Sequence, residues 1–289
     1  MDRNIFKGGQ HHENFTGNQK FSGLPKAQLK KNTIQNYRYF LAVFQKEFGK
    51  RDVSAVTSDE IMAFLVKITE GQKPSTKKLK YSLLKSLFNF VKSTVMPDLS
   101  NPCDAPVLAK TFRVSKLQPW TILERDAVDE FIFKTDSPRN RLMLELMARG
   151  GMRIGEVLKL KPQDVLDRKL HLPNPKSGRA SEVVFIPQKV ADRLREYIAA
   201  ENIPDNERVF PLGYTRAREI VKNAGKKIGI DVKPHDLRRH AATYASRSGV
   251  PIEIVSKIIL RHSNLSTTQR YLGKISDTEA MYWIENIYR

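Results

Sequence analysis

Three stretches in the first third of the chain repeat apolar residues at helical spacing. NTIQNYRYFLAVFQKEFG puts Ile34, Tyr37, Leu41, Phe44 and Phe48 on one face and stops at Gly49. TSDEIMAFLVKI opens with a capping box from Thr57 to Glu60 and turns Ile61, Phe64, Leu65 and Ile68 inward. STKKLKYSLLKSLFNFVKS stacks Leu79, Leu83, Leu87, Phe90 and Val91, with Lys77, Lys78, Lys80 and Lys85 mostly off that stripe. The block predicts a small all-helical domain over residues 25–105. Residues 1–24 are polar and lack periodicity, as expected of a flexible arm. Pro97, Pro102, Pro106 and Pro119 then interrupt the pattern, so residues 106–118 predict an extended linker, basic at Lys110, Arg113 and Lys116.

Periodicity resumes at Thr121, which can form a second capping box with Glu124. Helices are expected near residues 122–134, 138–148, 154–160, 188–201 and 214–228. Between them KLHL and EVVFI flank a Pro/Ser/Gly turn, a β-hairpin and nearly the only β signal. The stretch PHDLRRHAATYASRSG ends at Gly249, and Pro251 opens the next helix. A terminal helix over 276–289 carries apolar Met281, Trp283 (or Tyr282), Ile284 and Ile287. The expected fold is mainly α: a helical N-terminal domain, then a mostly α domain over 119–289 with a small β-hairpin or sheet.

Charge points to a partner. The chain has 289 residues and a formal net charge of +19. Basic residues exceed acidic ones both before and after residue 118. An excess of this size suggests a polyanion, most often nucleic acid, contacted by both domains. A lysine-rich helix face is commonly just solvated. Here the face is nearly all one sign, which also suits phosphate contact by Lys77, Lys78 and Lys80. The one cysteine, Cys103, excludes a disulfide or a cysteine zinc site within one chain. No apolar run approaches the ~20 residues of a membrane span, and the start has no signal-peptide pattern. The expectation is a soluble, cytoplasmic protein without membrane partners, nucleoid-associated if prokaryotic.

HDLRRH, residues 235–240, is the densest candidate site. His235 and His240 are five apart, roughly 140° around a helix, and cannot readily chelate one ion. His235 and Arg238 share a face at a helix start, which suits a phosphate. Taken alone, structural charges explain the stretch as well. Arg153 follows Gly150–Gly151, a pair that lets backbone approach a ligand closely. Lys176 sits at the hairpin tip, and His262 precedes Tyr271 by nine residues, with Ser266 able to cap the short helix between them. Each of these also has an ordinary structural explanation.

Their order changes the picture. Arg in RIGE, Lys in a hairpin, H-x-x-R, His, then Tyr nine residues on resembles the tyrosine recombinase (phage integrase) family over about residues 119–272. The helical half looks like that family's core DNA-binding domain. The resemblance implies an active site of Arg153, Lys176, His235, Arg238, His262 and Tyr271, with Tyr271 the nucleophile. It implies a double-stranded DNA partner, a 3′-phosphotyrosine intermediate, and four protomers on two DNA sites. It implies no metal or other cofactor, and no P-loop is present to hydrolyse ATP. Two arginines would grip the phosphate oxygens, Lys176 would protonate the departing 5′ oxygen, His235 would take the tyrosine proton, and His262 would bond a phosphate oxygen. Arg239 would contact the DNA backbone. The chain departs from the family pattern at Arg239, where a histidine is frequent, at Arg261, where a glycine is common, and at Gly150-Gly151-Met152, where many relatives have Thr-Gly-Leu. Two alternatives stand beside this reading: a type IB topoisomerase-like relaxase, and a non-cutting architectural DNA-binding protein.

Overall fold

The computed structural model describes residues 31–114, 122–173, 175, 181–269, 272 and 277–287. The chain divides into two compact units, Met1–Leu117 and Gln118–Arg289. The arm expected over residues 1–24 lies outside the described residues.

The first unit is helical. It contains α1 (Lys31–Phe48), α2 (Ser58–Ile68), α3 (Pro74–Thr94) and α4 (Pro106–Thr111). The capping box at α2 forms as the sequence predicts, Thr57 and Glu60 each bonding the other's backbone N–H. Phe44, Phe48, Phe64 and Phe88 pack mostly edge to face, their ring centroids 4.9–6.1 Å apart. The α3 stripe differs from the sequence expectation. The buried residues are Tyr81, Leu84, Leu87, Phe88 and Val91, whereas Leu79 is 51% exposed. Two overlapping stripes on α3 both have helical spacing. The one carrying two aromatic rings wins because Phe88 meets Phe44, and Tyr81 stacks on Phe112 and bonds the Cys103 carbonyl at 2.8 Å.

That contact also corrects the linker. Residues 106–112 are not extended: Pro106 opens α4, and Leu108 and Phe112 are buried in the first unit's core. Proline at the first helical position pre-sets φ and loses no hydrogen bond, so here it starts structure rather than ending it. Lys80, expected at phosphate, instead donates to the Ile68 carbonyl at 2.9 Å and closes the C-terminal end of α2.

The second unit is built around α6 (Pro138–Ala148), buried along nearly its whole length from Leu142. Around it lie α5 (Arg125–Phe133), α7 (Ile154–Val157), α8 (Gln188–Ala200), α9 (Tyr214–Lys226) and α10 (Pro234–Arg247). The helix expected from 122 begins at Arg125 instead, with Glu124 as N-cap and no side-chain cap bond; Thr121 lies outside the described residues. Leu123, just before it, gives its carbonyl to His240 Nδ1 at 2.8 Å. The hairpin is a three-stranded antiparallel sheet, β1 (Val165–Leu166), β2 (Lys169–Pro173) and β3 (Ser181–Phe185), in that order. Its register pairs Leu170 with Val184 and Leu172 with Glu182. Alternation therefore puts Glu182 on the core face beside Val184. The chain closes with α11 (Ile252–Ile254), a π-helical turn over Val255–Ile259, α12 (Leu265–Gln269) and α13 (Asp277–Ile287).

The rotated α3 stripe predicts a contrast in stability. Phe88→Ala should cost about 3–5 kcal/mol, while Leu79→Ala should stay within about 0.5 kcal/mol. Urea unfolding of both variants checks this; equal losses would reject the burial assigned to α3.

Candidate active site

Four of the six predicted catalytic residues are described, and they converge in the second unit. Lys176 and Tyr271 lie outside the described residues. The flanking segments are placed: β2 and β3 lead to and from the hairpin tip, and α12 runs up to residue 269.

Arg153 is the N-cap of α7. Its Nη1 donates to Glu156 Oε1 at 2.5 Å and its backbone N–H to Glu156 Oε2 at 2.9 Å. The two glycines before it set the local path. A Cβ on Gly150 would stand 2.8 Å from the Leu146 carbonyl oxygen, and one on Gly151 would stand 2.9 Å from that of Ile259. Gly151 also has φ +60°, in the left-handed region that favours glycine. The close approach read from the sequence is present: Gly151 lies against the π-helical turn and Gly150 against α6 and the Val184 side chain of β3.

Arg238, 1% exposed, projects from α10 into this junction. Its Nη1 donates to the Gly151 carbonyl and its Nη2 to that of Leu260. His235 sits one turn earlier on the same helix and keeps access to solvent, while the protein around it partly desolvates the ring. Arg239, expected on the DNA backbone, is instead 8% exposed and paired with Asp236 at 2.9 Å, one helical turn away. His240 is buried and stacks on Tyr244.

His262 follows the π-helical turn. Its backbone N–H bonds the Ser256 carbonyl, and its Nδ1 lies 2.9 Å from Thr268 Oγ1, which in turn reaches Ser256 Oγ at 2.8 Å. Either hydroxyl can donate to the other; where Thr268 donates to the ring, Nδ1 accepts and the neutral imidazole carries its proton on Nε2, as a donor suited to an anion. Asn264 Oδ1 receives the Ser266 N–H at 2.9 Å, so Asn264 rather than Ser266 caps the start of α12.

The electrostatics tie these groups into one site. Burial, then repulsion from Arg238 and Arg153, lowers the pKa of His235. The same influences with Arg261 push His262 down to about 4. Burial works against ionising Glu156, but Arg261 foremost and then Arg153 outweigh it and hold the carboxyl below its ordinary value. The result is a pocket of fixed cations beside two neutral imidazoles, an environment built to receive an anion. Sequence reading missed Glu156, Glu182, Arg261, Ser256 and Thr268. The signals were there: Glu182 has the inward parity of Val184, and Thr268 stands three residues before Tyr271. Among the described residues no cluster of His, Cys, Asp or Glu is placed to hold a metal ion, and no helix is long and apolar enough to cross a membrane.

A mostly helical unit with a small antiparallel sheet and an Arg/His cluster suited to an anion defines the class of the second unit. The particular family follows from comparison. The profile of the Phage integrase family matches residues 122–276, and that of the phage integrase N-terminal SAM-like domain matches residues 19–98. The chain belongs to the phage integrase family. It is 29% identical over 254 residues to tyrosine recombinase XerA of Pyrococcus horikoshii, covering 83% of this chain and 82% of the relative. It is 30% identical over 266 residues to a tyrosine recombinase of Thermosipho africanus, covering 86% and 90%. The fold matches that of lambda integrase bound as a dimer to a COC′ core site, with TM-score 0.67, 19% identity and coverage of 86% and 91%. It also matches the Tn1549 transposon integrase in complex with a circular intermediate DNA, with TM-score 0.70, 15% identity and coverage of 90% and 95%.

The depressed pKa of His262 has a measurable consequence. The unfolded imidazole titrates near ~6.5, so stability carried by the neutral form is present above that pH. It is lost as pH falls towards the folded value of about 4. Histidine-selective NMR should show His262 neutral down to about pH 5. A midpoint near 6.5 would contradict the burial and charge described for it.

Proposed function

We propose that this chain is a site-specific DNA recombinase that cuts and rejoins duplex DNA through a 3′-phosphotyrosine on Tyr271. The observation that carries the reading is the convergence of Arg153, Arg238, His235 and His262 in a chain of this family. A phosphodiester is already negative, and attack adds charge to its non-bridging oxygens. Two guanidiniums supply forked donors for those oxygens, which a lysine would lose. A tyrosine hydroxyl, with pKa ~10, needs a proton acceptor. His235 is held neutral by partial desolvation and by neighbouring arginines, and a neutral imidazole can accept that proton.

In this mechanism the Tyr271 oxygen attacks phosphorus and the P–O5′ bond breaks. His235 takes the phenolic proton, and Lys176 gives one to the departing 5′ oxygen. His262 bonds a non-bridging oxygen. The covalent bond conserves the energy for religation, so neither ATP nor a metal enters. The reverse attack by a 5′-hydroxyl of a partner strand completes exchange. The helical unit, residues 25–105, is the core DNA-binding domain in this reading, and Lys77 and Lys78 contact backbone phosphates.

A tetramer on two sites is part of the proposal. A solved lambda integrase structure is a tetramer bound to a Holliday junction. In this chain α13 leaves Met281, Tyr282 and Ile284 at least 60% exposed, while a Trp283 ring atom lies 3.0 Å from where a Cβ on Gly249 would stand. The exposed side of α13 is apolar surface for a neighbouring protomer to cover. A type IB relaxase would need no such surface.

Covalent capture tests the chemistry. Incubation in EDTA with a nicked duplex library of randomised core sequence should yield a denaturation-resistant adduct, and sequencing it gives the site. Tyr271→Phe should abolish the adduct and keep DNA binding. Lys176→Ala should be slow on ordinary DNA and rescued by a 5′-bridging phosphorothiolate, which needs no proton to leave. An adduct surviving Tyr271→Phe, or a demand for magnesium, would reject the mechanism. Synapsis is tested separately: Met281→Glu with Ile284→Glu should retain nicked-substrate cleavage and lose recombination. Recombination at the wild-type rate would remove α13 from the assembly.

A further inference from the structure

Arg261 stands where the family commonly has glycine, and the structure gives it work that glycine could not do. Its backbone has φ +52°, in the left-handed region that side chains rarely adopt. Its side chain is 2% exposed. The guanidinium donates to Glu156 Oε2 at 2.8 Å and to the Ile259 carbonyl at 2.8 Å, and lies 3.4 Å from the Gly151 carbonyl. Its Nε is 3.3 Å from Glu182 Oε2. Glu182 is as deeply buried, and among the described residues Arg261 is its ionic partner.

These contacts touch every described catalytic element. Glu156 is the carboxylate that holds Arg153. Gly151 gives its carbonyl to Arg238. Glu182 is on the strand leaving the hairpin tip. His262 is the next residue in the chain. Two guanidiniums, of Arg153 and Arg261, meet the carboxylate of Glu156, and that of Arg261 also meets the buried Glu182. Without Arg261, Glu156 would keep Arg153 as its ionic partner among the described residues and Glu182 would keep none. Such a pairing opposes the phosphate for Arg153. A left-handed backbone at a bulky residue persists only when its surroundings over-determine it, and this ion network does so.

We propose that Arg261 is a positioning residue: it neutralises Glu156 and Glu182 together, which weakens the hold of Glu156 on Arg153 in favour of the scissile phosphate and ties the hairpin strand to the floor of the site. This rests on the recombinase reading above. Arg261→Gly restores the backbone freedom of the common family residue and removes the cation. It should leave affinity for the nicked duplex obtained by covalent capture within about twofold and slow adduct formation within the bound complex on the order of tenfold or more. Arg261→Lys, which keeps the charge but not the fork, should fall between.

Arg261→Gly with Glu182→Gln also removes the orphaned carboxylate. Its melting temperature should return towards wild type while its adduct rate stays low, because Glu156 still claims Arg153. A rate that recovers with the melt, or wild-type cleavage by Arg261→Gly, would overturn the proposal. If wild type forms no adduct, the recombinase reading fails instead. The thermal cycle of Arg261→Gly and Glu182→Gln still decides the network without DNA: coupled melts support it and additive melts overturn it.

Discussion

The catalytic half depends on how three arginine side chains are held at one backbone crossing, where the Gly151 strand meets the π-helical turn. Glycine at 151 lets the two backbones touch, and the Gly151 carbonyl then receives Arg238 and lies in reach of Arg261. Buried cations are costly unless every donor finds an acceptor, and a guanidinium can spread its donors over several carbonyls and carboxylates at once. The crossing meets the terminal nitrogens with the carbonyls of Gly151, Ile259 and Leu260 and the carboxylate of Glu156, and sets the Glu182 carboxylate 3.3 Å from Arg261 Nε as an ion-pair partner. Three segments remote in sequence are therefore fixed to one another by charge rather than by apolar packing alone. The cluster of Ala242, Val255 and Leu260 beside them is small.

Desolvation sets the two imidazoles as well. The groups that prepare the site for an anion repel a proton from His235 and His262, so both stay neutral near pH 7. Neutral imidazoles add no cation to the pocket and keep a lone pair. The Ser256–Thr268–His262 chain shows how a short helix controls a residue one segment away: Thr268 is fully buried, and its hydroxyl holds the ring nitrogen.

Much of this was legible in the sequence. The helical pattern located α1, α2, α6, α8, α9 and α10, and alternation with a Pro/Ser/Gly turn located β2 and β3. Arg153, His235, Arg238 and His262 were singled out by the resemblance to the tyrosine recombinase family that their order and spacing carry. What periodicity could not decide was which of two stripes α3 would bury, since both satisfy helical spacing and the choice lies with Phe44 and Phe112, far off in the chain. Prolines were ambiguous for a similar reason. Pro106 opens a buried helix because Leu108 and Phe112 have a core to enter, a fact of tertiary packing.

Charged residues were the least legible. Lys80 and Arg239 have the composition of DNA contacts, yet one closes a helix end and the other pairs within its own turn. A basic residue announces its charge but not its partner, and the competition between a phosphate and a nearby carbonyl or carboxylate is settled by distances that sequence does not carry. Arg261 is the sharpest instance. In sequence it is a departure from a glycine, and a bulky residue at such a position reads as damage. In the fold it is one guanidinium between two buried carboxylates, so the departure and Glu182 on the inner face of β3 account for each other: a buried acid demands a cation, and a left-handed arginine needs a compensating anchor. Neither residue makes physical sense alone, which is why no local rule could have found the pair.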